Sequence, residues 1–365
     1  MYVALRDLRA ARGRFALVGV VIALIALMTT LLTGLAAGLV DDGISGLRQL
    51  PLTHLAFEPK SGATFSRSIL TEKNLAPWQH VDGVEASPVG VSFSNAKGAG
   101  GKTLSMALFG VTDDSFLADR PQARAALAGP PGLILSNEAQ KDGIEVGDRL
   151  TIAGSEITLP VVGFTYAGSY GHVDIAFTQL STWQRLFYGD QAHGRFSAIA
   201  LRVEGGVSGA ALARADRAAD TELITKKAAY AGSPGYSGET QTMTLIRGFL
   251  LVISALIVGA FFTVWTIQRA RQIALLKALG ASTAYVVRDA LGQMMIVLVA
   301  ATAVGAGLAW LLGAAISGTS APFRLEALPA LGAIGLLIVI GLVGCLAAVR
   351  RITSVDPAGA LRQVD

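Results

Sequence analysis

Cysteine occurs once in this chain of 365 residues, at Cys345. A single cysteine can neither close an intrachain disulfide nor supply a thiolate metal cluster, so any folded part must be held by its own packed core. Histidine is nearly as scarce. His54, His80, His172 and His193 are scattered, with none of the spacings that gather metal ligands. No nucleophile elbow or other catalytic set can be assembled from the serines and aspartates, and the chain reads as a non-enzyme. Charge is also in short supply: 15% of residues are charged and 52% hydrophobic, against about 25% charged in an ordinary soluble chain.

The charge deficit is concentrated. No charged residue falls in 15–40, 248–268, 290–323 or 327–349. Each tract reaches the roughly 20 apolar residues that cross a bilayer as a helix. Four transmembrane helices are therefore expected, the third giving way to a loop near Gly318. The first apolar run is well beyond the roughly 7–15 residues of a signal-peptide core, which argues against cleavage. The expected layout is an amphipathic helix at 1–14, spans at 15–40, 243–268, 289–316 and 327–349, and a large extracytoplasmic domain at 41–242. A cytoplasmic connector at 269–288, a short outer loop at 317–326 and a tail at 350–365 complete it. The fold class is an α-helical integral membrane protein with a mixed α+β domain inserted between helices 1 and 2.

What charge there is sorts with this layout. The segments before the first span, between the second and third, and after the fourth hold 11 basic and 4 acidic residues, whereas 41–247 holds 18 basic and 21 acidic. The positive-inside rule makes the basic side cytoplasmic, with both termini there, in a bacterial cell membrane. The basic pI of about 9.3 then reflects topology and gives no reason to expect nucleic acid.

Within the inserted domain, "LTHLAFEP" reads as a strand, and "SPVGVSFSNAKGAGGKTLSMALFGV" alternates about a Gly-rich centre as a hairpin does. A short helix is expected over 137–141, another in "STWQRLFYG", a strand in "FSAIALRVE" and one continuous helix in "SGAALARADRAADTELITKKAAYAG". "AKGAGGKT" loosely fits a phosphate-binding loop. That motif needs a helix behind it to face the phosphates, and here the following residues alternate like a strand. A hairpin turn is the better reading.

The stretch "QRARQIALLKALGAS" lies between two apolar tracts. Ile273, Leu276 and Leu279 recur on one helical face, Arg269, Arg271 and Lys277 flank it, and Gly280 stands where a helix C-cap is favoured. An interfacial anchor would explain the basic residues. It explains less well the small ending Gly280-Ala281-Ser282, which permits close approach by another backbone.

This stretch resembles the signature that follows the second span in ABC permeases of the macrolide-exporter and lipoprotein-release type. "ALRDLRAARGRF" is similar to that family's basic N-terminal helix, and "RRITSVDPAGALR" to its closing segment. The resemblance implies that Arg269, Arg271, Ile273, Leu276, Lys277, Leu279, Gly280, Ala281 and Ser282 dock on a separate cytoplasmic ABC ATPase dimer that binds the ATP. It also implies a homodimer of permeases in the lipid bilayer, with no cofactor of their own. Gln272 departs from the acidic residue usual in relatives, which puts a salt bridge at that position in doubt. Within the family, "FFTVWTIQRARQIALLKALGAS" most resembles permeases of bacterial haem-efflux pumps.

Haem as substrate would call for axial His, Met, Tyr or Cys ligands, so the polar and thioether residues near the outer ends of the spans become candidates. Met28 stands 13 residues into the first span. Glu239 and Met243 are four apart at the start of the second, and Tyr230 and Tyr236 precede them. A carboxylate at that depth must be solvated, paired or liganded. Packing for the methionines and a solvated helix start for Glu239 are the plain alternatives. Other functions of the family fit the same fold: transmission of ATPase motion to an extracellular cell-wall hydrolase, or export of a lipoprotein, lipid, macrolide or peptide.

Overall fold

The computed structural model describes residues 12–98, 101–118, 120–192, 194–268, 280–316 and 322–353. The chain divides into two units, residues 40–239 and a helical unit made of 1–39 with 240–365.

In the first unit ten strands make one mixed sheet: β1 (His54–Phe57), β2 (Val84–Lys97), β3 (Thr103–Val111), β4 (Leu133–Ser136), β5 (Arg149–Ile152), β6 (Thr158–Thr165), β7 (Ser169–Tyr170), β8 (Val173–Gln179), β9 (Ala198–Val203) and β10 (Glu222–Thr225). Their order is β10-β1-β9-β2-β3-β8-β4-β6-β5, with β7 on β8. β5 pairs a second time, with the tip of β2 through Ala96–Ile152 and Lys97–Thr151, so six of the strands close on themselves and lose their free edge. Only β3–β8 and β4–β6 run parallel.

Alternation along the strands feeds two cores. Leu108, Leu133, Leu135 and Ile199 point to the side that holds Trp78, Trp183 and Phe196. Phe109, Ile134 and Ala200 point to the side that holds Phe57, Phe65, Tyr170 and Phe177. Because both faces are covered, β4 is buried at all four positions and reads as an apolar run, without a two-residue period. The hairpin forms as expected. The Gly98 N–H donates to the Lys102 carbonyl at 2.9 Å, and β3 follows from Thr103, so among the described residues it is a strand that follows the motif, where a phosphate loop needs an α-helix.

Two stretches differ from expectation. The first long helix, α1 (Arg12–Gln49), runs nine residues past 40, where the sequence ends the first span. Ile44 and Leu47, three residues apart, are buried, and Arg48 pairs with Asp41 on the exposed face, so the extension is an ordinary amphipathic helix. The segment 208–232 is not one helix. After α2 (Glu72–Gln79) and α3 (Leu180–Tyr188), α4 covers Gly209–Ala219 and stops at Asp220, which is left-handed at φ 50°. "ELIT" then pairs antiparallel with β1 as edge strand β10. Helix propensity loses here to main-chain pairing offered by an open sheet edge.

Among the described residues, four helices are long and apolar enough to cross a membrane: α1, α5 (Tyr236–Gln268), α6 (Thr283–Ile316) and α7 (Ala327–Thr353). Together with the inserted sheet domain they establish the fold class. Phe15, Val18, Ile22, Val258, Met294, Leu298 and Cys345 form the main contact cluster. Small residues let backbones approach. A Cβ added at Gly305 of α6 would lie 2.1 Å from the Ala23 carbonyl oxygen of α1.

Candidate functional site

Helix α5 starts because Gly232-Ser233-Pro234-Gly235 turns the chain. Gly235 has φ 82°, and its carbonyl accepts from the Glu239 N–H at 2.9 Å, closing the first helical turn. That turn carries Tyr236 and Glu239. The Tyr236 ring meets Tyr230 edge-on, with centroids 6.3 Å apart. A Cβ at Gly235 would come 2.7 Å from the Glu239 carboxylate, so the glycine leaves room for that side chain to fold back over the turn.

What Glu239 meets there is His172. The His172 Nε2 lies 3.0 Å from Glu239 Oε1, and its Nδ1 lies 2.9 Å from Asp42 Oδ2 on α1. The histidine occupies a two-residue hairpin loop between β7 and β8, closed by the Tyr170–Val173 pair. Gly171 has φ 61° and His172 φ 64°, as a type I′ turn requires at both central positions. Glycine adopts this backbone freely, whereas histidine does so uncommonly. The turn is pinned from two sides. The Gly171 N–H and the Ser233 hydroxyl both donate to the Gly43 carbonyl, at 2.9 and 2.7 Å. Beneath it, Tyr170 stacks on Phe93 with centroids 5.9 Å apart.

Electrostatics follow from this arrangement. Partial burial of His172 alone would lower its pKa. The hydrogen bond with Asp42 and the charges of Glu239 and Asp42 outweigh that and raise it above the usual imidazole value. An imidazolium donating from both nitrogens to two carboxylates is the state the geometry favours. Two positions along β8, the Asp174 carboxyl is pushed up to about 6 by burial, helped by the negative charges of Glu138, Asp142 and Asp42.

The structure therefore brings three of the sequence candidates, Tyr230, Tyr236 and Glu239, to one place and adds His172 and Asp42, which sequence reasoning passed over. The available signal was "YGHV": a Gly-His pair at the centre of a tight hairpin, where Asn or Gly would be the undemanding choice. Met243 and Met28 belong to the helical unit. Met243 is half-buried one turn beyond Glu239 on α5. Met28 lies on the outward stripe of α1 with Leu17, Val20 and Leu24, and is 48% exposed.

Of the proposed ATPase-docking residues, Arg269, Arg271, Ile273, Leu276, Lys277 and Leu279 lie outside the described residues. Gly280 has φ 95°. Ala281 follows it, and Ser282 caps α6 by accepting the Tyr285 N–H on its hydroxyl at 3.2 Å.

Residues 244–357 match the family model for the FtsX-like permease C-terminal region. Over 99% of both chains, the protein is 24% identical to one described as hemin transport system permease HrtB from Staphylococcus haemolyticus. It is 22% identical, over the same share of each chain, to the counterpart from Staphylococcus epidermidis. A 116-residue stretch, 32% of each chain, is 34% identical to an uncharacterized ABC transporter permease of Mycobacterium tuberculosis. Among solved structures, the periplasmic region of MacB from Actinobacillus actinomycetemcomitans aligns with 50% of this chain and 94% of its own, at TM-score 0.38 and 13% identity. The extracellular domain of the Gram-positive ABC-type transporter YknZ aligns with 47% and 98%, at TM-score 0.35 and 16% identity.

Proposed function

We propose that this chain, an ABC permease of the MacB/FtsX-like type, is the membrane subunit of an efflux pump for a hydrophobic small molecule, haem foremost. The family brings with it a membrane setting and an ATPase partner. The observation that carries the reading is that Glu239 shares the first turn of α5 with Tyr236, whose ring meets Tyr230 edge-on, while the Glu239 carboxylate is held by His172 at 3.0 Å. The name borne by the relatives that align end to end adds haem as the substrate to try first.

In this reading the Glu239 carboxylate has two partners. At rest it neutralises the imidazolium of His172, and when substrate arrives it turns to the haem iron. Met243, one turn along the same helix, and Met28 are the thioether candidates, and the two tyrosine rings offer apolar faces to a flat macrocycle. Haem partitions into membranes, so it enters sideways from the outer leaflet. Nucleotide-driven closure of an ATPase dimer pulls on 268–282, tilts the helices and expels the substrate outward. Two permease copies would present each candidate twice around one cavity.

The test is a haem titration of the chain co-purified with its ATPase in lipid nanodiscs. Glu239→Gln is expected to weaken haem binding about tenfold or more and to blunt haem-stimulated ATP hydrolysis. Unchanged affinity and stimulation would remove the site. Regulation of a cell-wall hydrolase instead calls for an apolar docking patch on the inserted domain. Its large exposed apolar side chains among the described residues are Ile69, Phe93, Val146 and Phe187, and capture of a secreted hydrolase through them would favour that second reading.

A further inference from the structure

Arg247 stands eight residues beyond Glu239 on α5, about 12 Å farther along at 1.5 Å per residue. It lies inside the segment Tyr236–Phe261, long and apolar enough to cross a membrane. A guanidinium there is costly unless compensated, and compensation normally comes from a carboxylate. None of the ion pairs among the described residues includes Arg247. Its Nη2 makes one long contact, 3.4 Å to the Thr33 carbonyl of α1, and its Nε is buried with no partner. One turn away on α1, Thr29 and Thr30 are buried with hydroxyls that make no hydrogen bond. Threonines in apolar helices commonly satisfy themselves on the carbonyl four residues back, as Thr33 does on Thr29 at 2.7 Å. A cation and two hydroxyls left wanting in one stretch of an apolar helix pair describe a niche lined for an oxyanion.

We infer that Arg247, with Thr29 and Thr30, forms a subsite for the carboxylate of an amphipathic anion whose apolar body lies among the helices. This rests on the export reading above and narrows its substrate class to hydrophobic molecules bearing an acid group. The planar fork of arginine suits a carboxylate with two parallel hydrogen bonds, which a lysine cannot reproduce. A lipid phosphate has the same oxyanion chemistry, so the lipid is a variable of the test.

The experiment uses the full chain with its ATPase in phosphatidylcholine nanodiscs. Two probe pairs are titrated: haem with haem dimethyl ester, and oleate with methyl oleate. Wild type is expected to bind the acid of a pair about tenfold or more tighter than its ester. Arg247→Gln should lose that preference while leaving ester affinity unchanged, and Arg247→Lys, which keeps the charge, should retain part of it. The lysine variant also decides the matter if the glutamine variant fails to fold. Preference lost with oleate alone, haem not binding at all, upholds the subsite and removes haem from the proposed function. In phosphatidylglycerol, whose headgroup is anionic where that of phosphatidylcholine is zwitterionic, a loss of acid affinity larger in wild type than in Arg247→Gln upholds the subsite as one that the phosphate of an anionic lipid also enters. A preference equal in wild type and both variants, or no preference in wild type with either pair, overturns the inference even if haem binds.

Discussion

At the scale of single residues, His172 is the position where backbone, charge and neighbours converge. Its pKa sits above the ordinary 6.5 because two carboxylates stabilise the imidazolium more than partial burial opposes it. The stabilisation is therefore fully present below about 6.5 and is lost as the pH rises through the raised value. Asp174 acts in the same sense. With its carboxyl pushed up to about 6 from 3.8, ionising it costs the folded domain stability as the pH climbs between those values. We expect the Gly171 amide, which bonds Gly43, to exchange with solvent faster at pH 8 than at pH 6 after correction for intrinsic chemistry. His172→Gln should flatten that dependence. An equal pH dependence in the variant would show that the His172 contacts are not its cause. Each hydrogen bond is about a third exposed, so its worth is on the order of 1 kcal/mol at most. Glu239 was legible in the sequence from its place at the head of an apolar helix. His172 was not, because its partners lie 130 and 67 residues away and only the hairpin brings it to them.

At the scale of elements, packing decides what propensity leaves open. Gly90 and Gly110 are cross-strand partners in β2 and β3, and the Trp183 side chain of α3 lies on both. A Cβ at Gly110 would stand 2.4 Å from the Trp183 Cβ, and one at Gly90 2.3 Å from its ring. Gly110→Ala is expected to destabilise the chain by roughly 1–3 kcal/mol in chemical denaturation. Trp183→Phe should recover part of the loss, since it also removes a buried indole N–H with no partner. Additive effects in the double variant would mean the contact is not the cause. The same logic explains which elements the sequence revealed. The β2–β3 hairpin announced itself through alternation and glycines. The 208–232 stretch misled because Asp220 ends α4 by a left-handed turn that aspartate merely tolerates. The strand beyond it exists only because β1 offers an edge.

At the scale of the whole molecule, the four spans were readable because lipid leaves a helix no alternative to about 20 apolar residues. Strand order was not, since the pairing of β3 with β8 and of β5 with β2 joins segments that no local pattern connects. The orientation of the chain is the claim on which export depends: the inserted domain and Glu239 outside, the connector 268–282 inside with the motor. Cys345 is the sole cysteine and is buried, so a Cys345→Ser background permits single-cysteine reporters at Lys141 and Lys277. The decisive measurement is labelling of Lys141→Cys and Lys277→Cys in intact cells with a membrane-impermeant maleimide. The account predicts labelling of the first in intact cells and of the second only after permeabilisation. Equal labelling of both in intact cells would contradict it.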